Sequence, residues 1–363
     1  ALLSILFISS LYATSVIPPT CAAASDDKVW TGSYRFQWVP GNDISQLDFT
    51  TDEDNNLYIL FNPLYVVKIN DKWDIIFDVQ LSNIAITPNI MDNKLILLPN
   101  GELVISSRRQ FTFLNSSTGS IISAYSISGF NIYGLANQEG ASNNGVFAFG
   151  KNGSSSIIMY DDRLSNPPNI ITYNLGFQAT YFALSIMNFY SNIARNAILV
   201  NEEYIQYYTM TGDILNNEHN YRFVGTTLDY PYIEAIDTMT YVVAINDDGT
   251  NTYPWIFELN STGHITQFQE IGLNFDNINA VHYNQYNGLL MIFGIFTSGT
   301  RATMLSVNPT GYSFDYKREV SGKQKFFFLF SDKYLLWMFS NNADSIAYVI
   351  KETVDNEYKQ VEC

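Results

Sequence analysis

Short apolar runs separated by polar turn residues recur along the chain from about residue 43 onward. The first four runs are Gln46–Thr50, Leu57–Phe61, Tyr65–Ile69 and Ile75–Val79. Runs of about four to eight residues, with turn signals every 8–12 residues or so, are typical of β-strands. No stretch keeps a helical period of about 3.6 over several turns. The pattern therefore predicts an all-β chain.

One hairpin motif, an apolar strand end followed by a polar residue, Thr and Gly, returns at regular intervals. Its glycines are Gly119, Gly212, Gly263 and Gly311. They lie 93, 51 and 48 residues apart, and the first interval holds two periods, with the missing hairpin at residues 160–163. Related turns fall one period earlier, at residues 69–73, and one period later, at residues 353–357. We therefore predict seven four-stranded antiparallel blades of about 47 residues, the repeat length of a β-propeller.

Later repeats show the same four runs, and the region before the first repeat supplies one more strand. In the fifth repeat the runs are Tyr232–Ile236, Tyr241–Ile245, Trp255–Leu259 and Ile265–Gln269. In the last repeat they are Phe326–Phe330, Tyr334–Phe339, Ile346–Ile350 and Glu357–Val361. Lys28–Val39 alternates aromatic and polar residues, so we expect a two-faced strand that pairs with the last blade and fastens the ring.

The repeat, from roughly Asp43 to Cys363, resembles the β-propeller superfamily in the loose manner of kelch-like and quinoprotein-like repeats. A β-sandwich also has short strands, but it would not repeat one hairpin at this spacing. The Gly-His and Trp-Asp signature of WD-type blades is missing, as is the double glycine of kelch blades. The resemblance implies a propeller and no particular subfamily.

Composition narrows the choice of partners. The chain has 35 acidic and 19 basic residues among 363, a net charge of -16, together with 25 Tyr and 25 Phe. So acidic a chain repels phosphate backbones, and we do not expect a nucleic-acid partner. The simpler interpretation of the acidity is solubility; a cation-rich or glycan-rich setting is the sharper alternative.

The first 24 residues form an apolar segment with two open interpretations. They resemble the apolar region of a secretory signal, with small-residue cleavage sites after Ala13 or within Ala22–Ala24. The uninterrupted apolar part is shorter than the ~20 residues of a comfortable membrane span. The segment is thus predicted to be either a cleaved signal or a retained arm that adds to a neighbouring subunit, ahead of a propeller domain at residues 28–363. Both interpretations favour a secreted or cell-surface protein without a membrane span.

Two further features fit that compartment. Cys21 and Cys363 are the two cysteines and allow one intramolecular disulfide, which requires that Cys21 be retained. N-glycosylation sequons begin at Asn115, Asn152 and Asn260. In a propeller, the turns of Asn115 and Asn260 lie on one face and that of Asn152 on the other. We predict N-linked glycans and no other cofactor.

Ligands of propellers usually meet the face with the longer loops. There the sequence offers Arg108 and Arg109, a dibasic pair that would suit a carboxylate or sulfated sugar, or would simply be solvated. Asp247 and Asp248 belong to an oxygen-rich turn that lacks the terminal acid of an EF-hand. A plain turn is the simpler interpretation, and no metal site is predicted.

Catalytic signals are sparse. His219, His264 and His282 have no ligand spacing, although His264 follows a hairpin glycine and should be exposed. Acids on inner strands, such as Asp48 and Glu234, would have to converge for glycoside chemistry. The sequence leaves open whether the protein is an enzyme and favours a secreted, N-glycosylated, non-enzymatic subunit that binds itself, other extracellular proteins or glycans, for instance in a filament or surface assembly. The alternative is a secreted enzyme acting on glycans or small molecules at the central channel.

Overall fold

A computed structural model gives the arrangement of most of the chain. It describes residues 30–37, 46–52, 54, 56–61, 65–70, 74–81, 93–107, 109–137, 145–153, 155–161, 170–175, 182–187, 194–211, 214–236, 239–284, 288–296, 301–309, 313–321, 326–331, 334–341 and 346–353. The predicted N-terminal segment 1–24 lies outside these residues, and so do Cys21, Cys363 and Arg108. The fate of that segment and the disulfide therefore stay predictions.

Every regular element among the described residues is a β-strand. The strands are β1 (Trp30–Gln37), β2 (Gln46–Thr51), β3 (Leu57–Phe61), β4 (Tyr65–Ile69), β5 (Ile75–Gln80), β6 (Asn93–Leu97), β7 (Glu102–Ser107), β8 (Gln110–Asn115), β9 (Ile121–Ser126), β10 (Phe130–Asn137), β11 (Val146–Asn152), β12 (Ser155–Asp161), β13 (Ile170–Asn174), β14 (Phe182–Met187), β15 (Ala194–Asn201), β16 (Tyr204–Thr211), β17 (Ile214–Arg222), β18 (Thr227–Ile236), β19 (Met239–Asp247), β20 (Thr252–Asn260), β21 (Ile265–Glu270), β22 (Phe275–Asn284), β23 (Leu289–Phe296), β24 (Arg301–Asn308), β25 (Ser313–Ser321), β26 (Phe326–Ser331), β27 (Tyr334–Asn341) and β28 (Ile346–Thr353).

The strands form four-stranded antiparallel sheets arranged in a ring. Six sheets, which we number blades 1 to 6, each consist of four consecutive strands: β2–β5, β6–β9, β10–β13, β14–β17, β18–β21 and β22–β25. A further sheet, the closing sheet, has the order β1-β28-β27-β26. The first strand of each blade contacts the first strand of the next blade, and β26 contacts both β22 and β2. The ring is therefore closed, and the chain is a β-propeller.

The prediction of seven four-stranded blades is wrong: the structure has six blades, each made of four consecutive strands. The closing sheet takes its fourth strand from the other end of the chain, because β1 pairs with β28 from Trp30 opposite Glu352 to Gln37 opposite Ile346. β28 also pairs with β27, so both of its edges are occupied. The predicted outer strand Glu357–Val361 lies outside the described residues, and β1 holds the place beside β28 that this strand would need.

The core lies between neighbouring blades rather than inside one sheet. The two middle strands of a blade are buried on both faces, as in β4 and β8, where even the polar residues Lys68 and Thr112 are buried. The outer strands alternate, and β5 and β9 share one pattern of exposed and half-buried residues. One apolar cluster joins blades 1 and 2, and others join each following pair up to blades 5 and 6. Blade packing therefore leaves the two faces and the outer rim for function.

Candidate functional site

The antiparallel order within each blade sorts the turns onto two faces. Turns between first and second strands and between third and fourth strands lie on one face, the hairpin face, for example residues 116–120 and 261–264. Turns between second and third strands, and connections between blades, lie on the other, the loop face, for example residues 202–203, 223–226 and 248–251. The sequons at Asn115 and Asn260 therefore lie on the hairpin face.

Asn115 ends β8 and organises the hairpin that follows it. Its side-chain oxygen accepts hydrogen bonds from the backbone N–H groups of Ser117 and Thr118, at 2.9 and 3.0 Å. The backbone N–H of Gly119 donates to the carbonyl oxygen of Asn115 at 2.8 Å. This side-chain capping of a turn is what Asn does well, because its short amide reaches the backbone two residues on. The sequon therefore sits in a fixed turn.

The same turn is fastened to blade 1. The Tyr58 hydroxyl and the Lys68 ammonium both donate to the carbonyl oxygen of Ser116, at 3.1 and 3.2 Å. Lys68 is buried and pairs with Asp52 at 3.3 Å. Burial raises the pKa of Asp52, but hydrogen bonds from Asn56 and Tyr58 and the charge of Lys68 together outweigh it and leave this pKa below its ordinary value. A buried, neutralised ion pair thus anchors the Asn115 turn.

The Asn260 turn is built in the same way on the junction of blades 4 and 5. The Asn260 side-chain oxygen accepts hydrogen bonds from the backbone N–H groups of Thr262 and His264, at 3.1 and 3.0 Å, and from the Thr262 hydroxyl at 2.8 Å. The Tyr207 hydroxyl of blade 4 donates to the carbonyl oxygen of Ser261 at 3.1 Å. Two sequon turns, three blades apart, are therefore each held by a tyrosine of the preceding blade.

The glycine of the repeated motif serves both the turn and the blade contact. Gly119 and Gly263 have φ of +71° and +76°, a conformation that side chains disfavour. A Cβ atom on Gly119 would lie 2.7 Å from Cγ2 of Val79, and one on Gly263 would lie 2.2 Å from Cγ of Tyr207. The sequence motif used to find the repeat is thus also a docking contact between blades.

The third sequon lies elsewhere. Asn152 is exposed at the end of β11, in the turn between the second and third strands of blade 3, and so on the loop face. This is the opposite face from Asn115 and Asn260, as the strand order predicted. Glycan attachment at the three asparagines stays a prediction, since the structure addresses only their positions.

Two histidines that the sequence left apart meet beside the Asn260 turn. His219 on β17 and His264 have ring centroids 4.1 Å apart, and the Tyr221 hydroxyl lies 3.4 Å from Nδ1 of His264. Burial lowers the pKa of His219, and the neighbouring His264 lowers it further. The spacing in the sequence could have predicted this contact, because the two histidines lie 45 residues apart, about one repeat. Among the described residues, no group of three or more His, Cys, Asp and Glu side chains is arranged to hold a metal ion.

The ligand-face candidates that the structure describes, Arg109, Asp247 and Asp248, do not converge on one site. Arg109 is exposed in the second-to-third turn of blade 2, where its Nε donates to Asn131 at 3.1 Å. Asp247 and Asp248 lie in the equivalent turn of blade 5, three blades away. Asp248 accepts the backbone N–H groups of residues 250 and 251, both at 2.8 Å, and these bonds lower its pKa. Asp247 likewise accepts that of residue 249. The two carboxylates therefore stabilise the turn in which they lie.

The two carboxylates considered for catalysis lie on the first strands of their blades. Asp48 on β2 accepts the backbone N–H of Leu95 in blade 2 at 2.8 Å, and burial raises its pKa. Glu234 on β18 accepts the backbone N–H of Tyr283 in blade 6 at 3.2 Å and contacts His282 at 3.2 Å. Each carboxylate binds the inner strand of the next blade, on blades 1 and 5 respectively. Each carboxylate therefore has a positioning role between neighbouring blades.

Comparison with known proteins identifies the architecture alone. No protein-family model and no curated protein matches the sequence. Among solved structures, the chain is similar to BBS1N, crystallised in complex with ARL6DN, with a TM-score of 0.59 at 10% identity over 92% of this chain and 99% of that one. It is also similar to the Neurospora crassa Pan2 WD40 domain, with a TM-score of 0.61 at 10% identity over 91% and 97%. The Dos1 propeller gives a TM-score of 0.55 at 13% identity over 85% and 78%.

These likenesses agree with the resemblance found in the repeat and name no subfamily. In the part of the chain that the structure covers, no helix is long and apolar enough to cross a membrane.

Proposed function

We propose that this β-propeller is a secreted, N-glycosylated, non-enzymatic subunit that binds other proteins or further copies of itself outside the cell. The β-propeller fold suggests a protein-interaction scaffold, and one similar structure, BBS1N, was crystallised in a protein complex. The hydrogen bonds described above favour this role, since the inner-strand carboxylates and the loop-face acids each accept backbone N–H groups of the protein itself.

The observation that carries the proposal is the pair of sequon turns on the hairpin face. Asn115 and Asn260 cap equivalent turns, and both asparagines use their side-chain oxygen for the turn. This leaves the side-chain nitrogen, the atom that would carry a glycan, without a described hydrogen-bond partner. Two glycans placed this way would cover the hairpin face at two points and leave the rim between blades accessible.

Peptide mapping of the protein secreted from eukaryotic cells tests the proposal. Deglycosylation in heavy-oxygen water converts each occupied asparagine into a labelled aspartate, and we expect the label at Asn115, Asn152 and Asn260. Asn308 is the internal control, because Pro309 follows it and blocks the sequon. Retention of the chain inside the cell, or secretion with all three asparagines unmodified, would contradict the proposal.

A substitution pair separates glycan attachment from the turn itself. Ser117→Ala removes the sequon of Asn115 while keeping the backbone N–H that the asparagine accepts. Thr118→Ala changes the neighbouring residue and keeps the sequon. We expect Ser117→Ala alone to lower the secreted mass by one glycan. Equal masses for the two variants would show that Asn115 is not an acceptor.

A further inference from the structure

Exposed apolar side chains are concentrated on one stretch of the outer rim. Among the described residues, the large apolar side chains with high exposure are five isoleucines and Val224. The isoleucines are Ile75 and Ile76 on β5, Ile121 and Ile122 on β9, and Ile170 on β13. These are the outer strands of blades 1, 2 and 3, which are neighbours in the ring. We call this surface the isoleucine rim.

The isoleucine rim is also nearly free of charge. β9 (IISAYS) and β13 (IITYN) contain no acidic or basic side chain, and β5 (IIFDVQ) contains one, Asp78. Among the outer strands of blades 4 to 6, β21 carries one charged residue, Glu270, β17 carries Glu218 and Arg222, and the sequence of β25 includes Lys-Arg-Glu. Charged residues are the usual protection of a sheet edge against pairing with another chain. Blades 2 and 3 lack that protection.

β9 offers an edge for strand addition. It is the last strand of its sheet, hydrogen-bonded to β8 on one side and to no described strand on the other. Beyond Ile122 its exposed positions are Ala124 and Ser126, which are small enough for a second backbone to approach closely. An edge strand presents alternate N–H and C=O groups, and an added strand can satisfy them.

The charge of the chain indicates which kind of partner can bind this edge. A chain of net charge -16 repels another copy of itself over most of its surface. Among the described outer strands, β9 and β13 carry no charge, so a second copy meets the least repulsion there, whereas a basic partner would be drawn to the acidic surface elsewhere. An antiparallel pair of identical strands is also self-complementary, as a two-fold symmetric contact requires.

We propose that the isoleucine rim is a self-association surface, in which β9 pairs antiparallel with β9 of a second copy. Among the registers that keep the exposed faces of both strands on the same side, the one centred on Ala124 pairs all three alternating exposed positions, with Ala124 opposite Ala124 and Ile122 opposite Ser126. One six-residue strand, about 20 Å long, cannot alone supply the roughly 800 Å² per copy of a stable dimer. The contact therefore includes the isoleucines of β5 and β13 on the flanking blades. This names the partner for the binding role proposed above and depends on that role; glycan mapping tests the role, and oligomeric state tests the contact.

The first experiment measures the oligomeric state of the secreted full chain by sedimentation velocity across the micromolar range. We expect a dimer whose affinity rises with salt, because salt screens the repulsion between acidic copies and leaves the apolar contact intact. Ile122→Lys should weaken it about tenfold or more, since two lysines would be buried in an apolar contact. Val224→Lys, at an exposed apolar position 79% accessible between blades 4 and 5, is the matched control and should leave the dimer unchanged.

The second experiment tests the register. In an antiparallel pair, directly opposite Cα atoms lie about 4.5–5.5 Å apart, within disulfide range. Ala124→Cys should therefore form a disulfide between the two copies at this position, identified by peptide mapping. In the same register the two copies of position 126 would lie about 13 Å apart, so Ser126→Cys should not crosslink. A monomeric wild-type chain, a dimer insensitive to Ile122→Lys, or equal crosslinking at both positions would each overturn the proposal.

Discussion

Gly263 offers a direct test of how the hairpin turns bind the preceding blade. An alanine there must adopt φ near +76°, at a cost of about 1 kcal/mol. Its Cβ would also lie 2.2 Å from Cγ of the buried Tyr207 ring. Cγ belongs to the base of the ring rather than to a flexible end, so the contact can be relieved only by moving the ring or the turn. Overpacking of that kind costs about 1–3 kcal/mol, and we expect Gly263→Ala to lose about 2–4 kcal/mol in total.

Gly249→Ala is the matched control. Gly249 has φ of +82° and no atom within 4 Å of the position that a Cβ would take. It should therefore lose only the conformational part, about 1 kcal/mol. Urea denaturation with the slope held constant gives both losses as shifts of the midpoint. Equal losses for the two variants would refute the steric argument, and so would an undiminished loss for Gly263→Ala in a Tyr207→Ala background, where the ring is absent.

Two more predictions concern charge at the blade junctions. The pKa of His219 lies below its ordinary value, so the unfolded chain binds protons first; stability should be intact above about pH 6.5 and fall as the pH decreases from there towards the folded-state pKa. His264→Gln should flatten this dependence in urea midpoints taken from about pH 7.5 to pH 5, and an unchanged slope would contradict the role of the pair. Asp52→Asn should cost about 3 kcal/mol because it leaves Lys68 buried without its counter-ion. Asp248→Asn, an exposed turn acid, should stay within about 0.5 kcal/mol, and similar losses in both variants would show that the buried pair has no special weight.

Local patterns predicted the strands well. In blade 1 the predicted and observed bounds agree to within a residue at every strand, and in blade 5 the observed strands are longer than predicted. Blade 5 extends because polar residues at strand ends, such as Thr227 and Asp247, still pair across the sheet. Alternation of apolar and polar residues indicates which strand residues are buried. Strand ends that project beyond the core lack this alternation, so the sequence does not predict them.

The closing sheet shows where sequence reasoning failed. The spacing of turns predicted a seventh unit like the others, with its outer strand at Glu357–Val361. The pairing of Lys28–Val39 with the last blade was predicted too, and β1 does pair with β28. The two predictions compete for the same edge, since an edge strand accepts one neighbour. The spacing of repeats cannot reveal that competition, because it gives the order of strands along the chain and not their neighbours in a sheet.

The candidate residues show a similar division. The faces of Asn115, Asn260 and Asn152 followed from strand order alone, because antiparallel strands fix the face of each turn. Arg109 and Asp247 were both predicted on the loop face, but their separation was not predicted; it results from the ring, which keeps residues of blades 2 and 5 apart. The meeting of His219 and His264 was missed because metal-ligand spacings, which are short, say nothing about contacts across a blade junction.

The repeat length itself predicts such junction contacts. Asp48 binds Leu95, 47 residues later, Lys68 binds Ser116 after 48 residues, and Glu234 binds Tyr283 after 49. Neighbouring blades are nearly equivalent copies, so a contact between them joins positions about one period apart. The junction between the closing sheet and blade 1 is the exception, because β26 and β2 are joined across almost the whole chain. The spacing of repeats cannot specify this contact. β1 closes the ring instead, because it is hydrogen-bonded to β28 and precedes blade 1 in the chain.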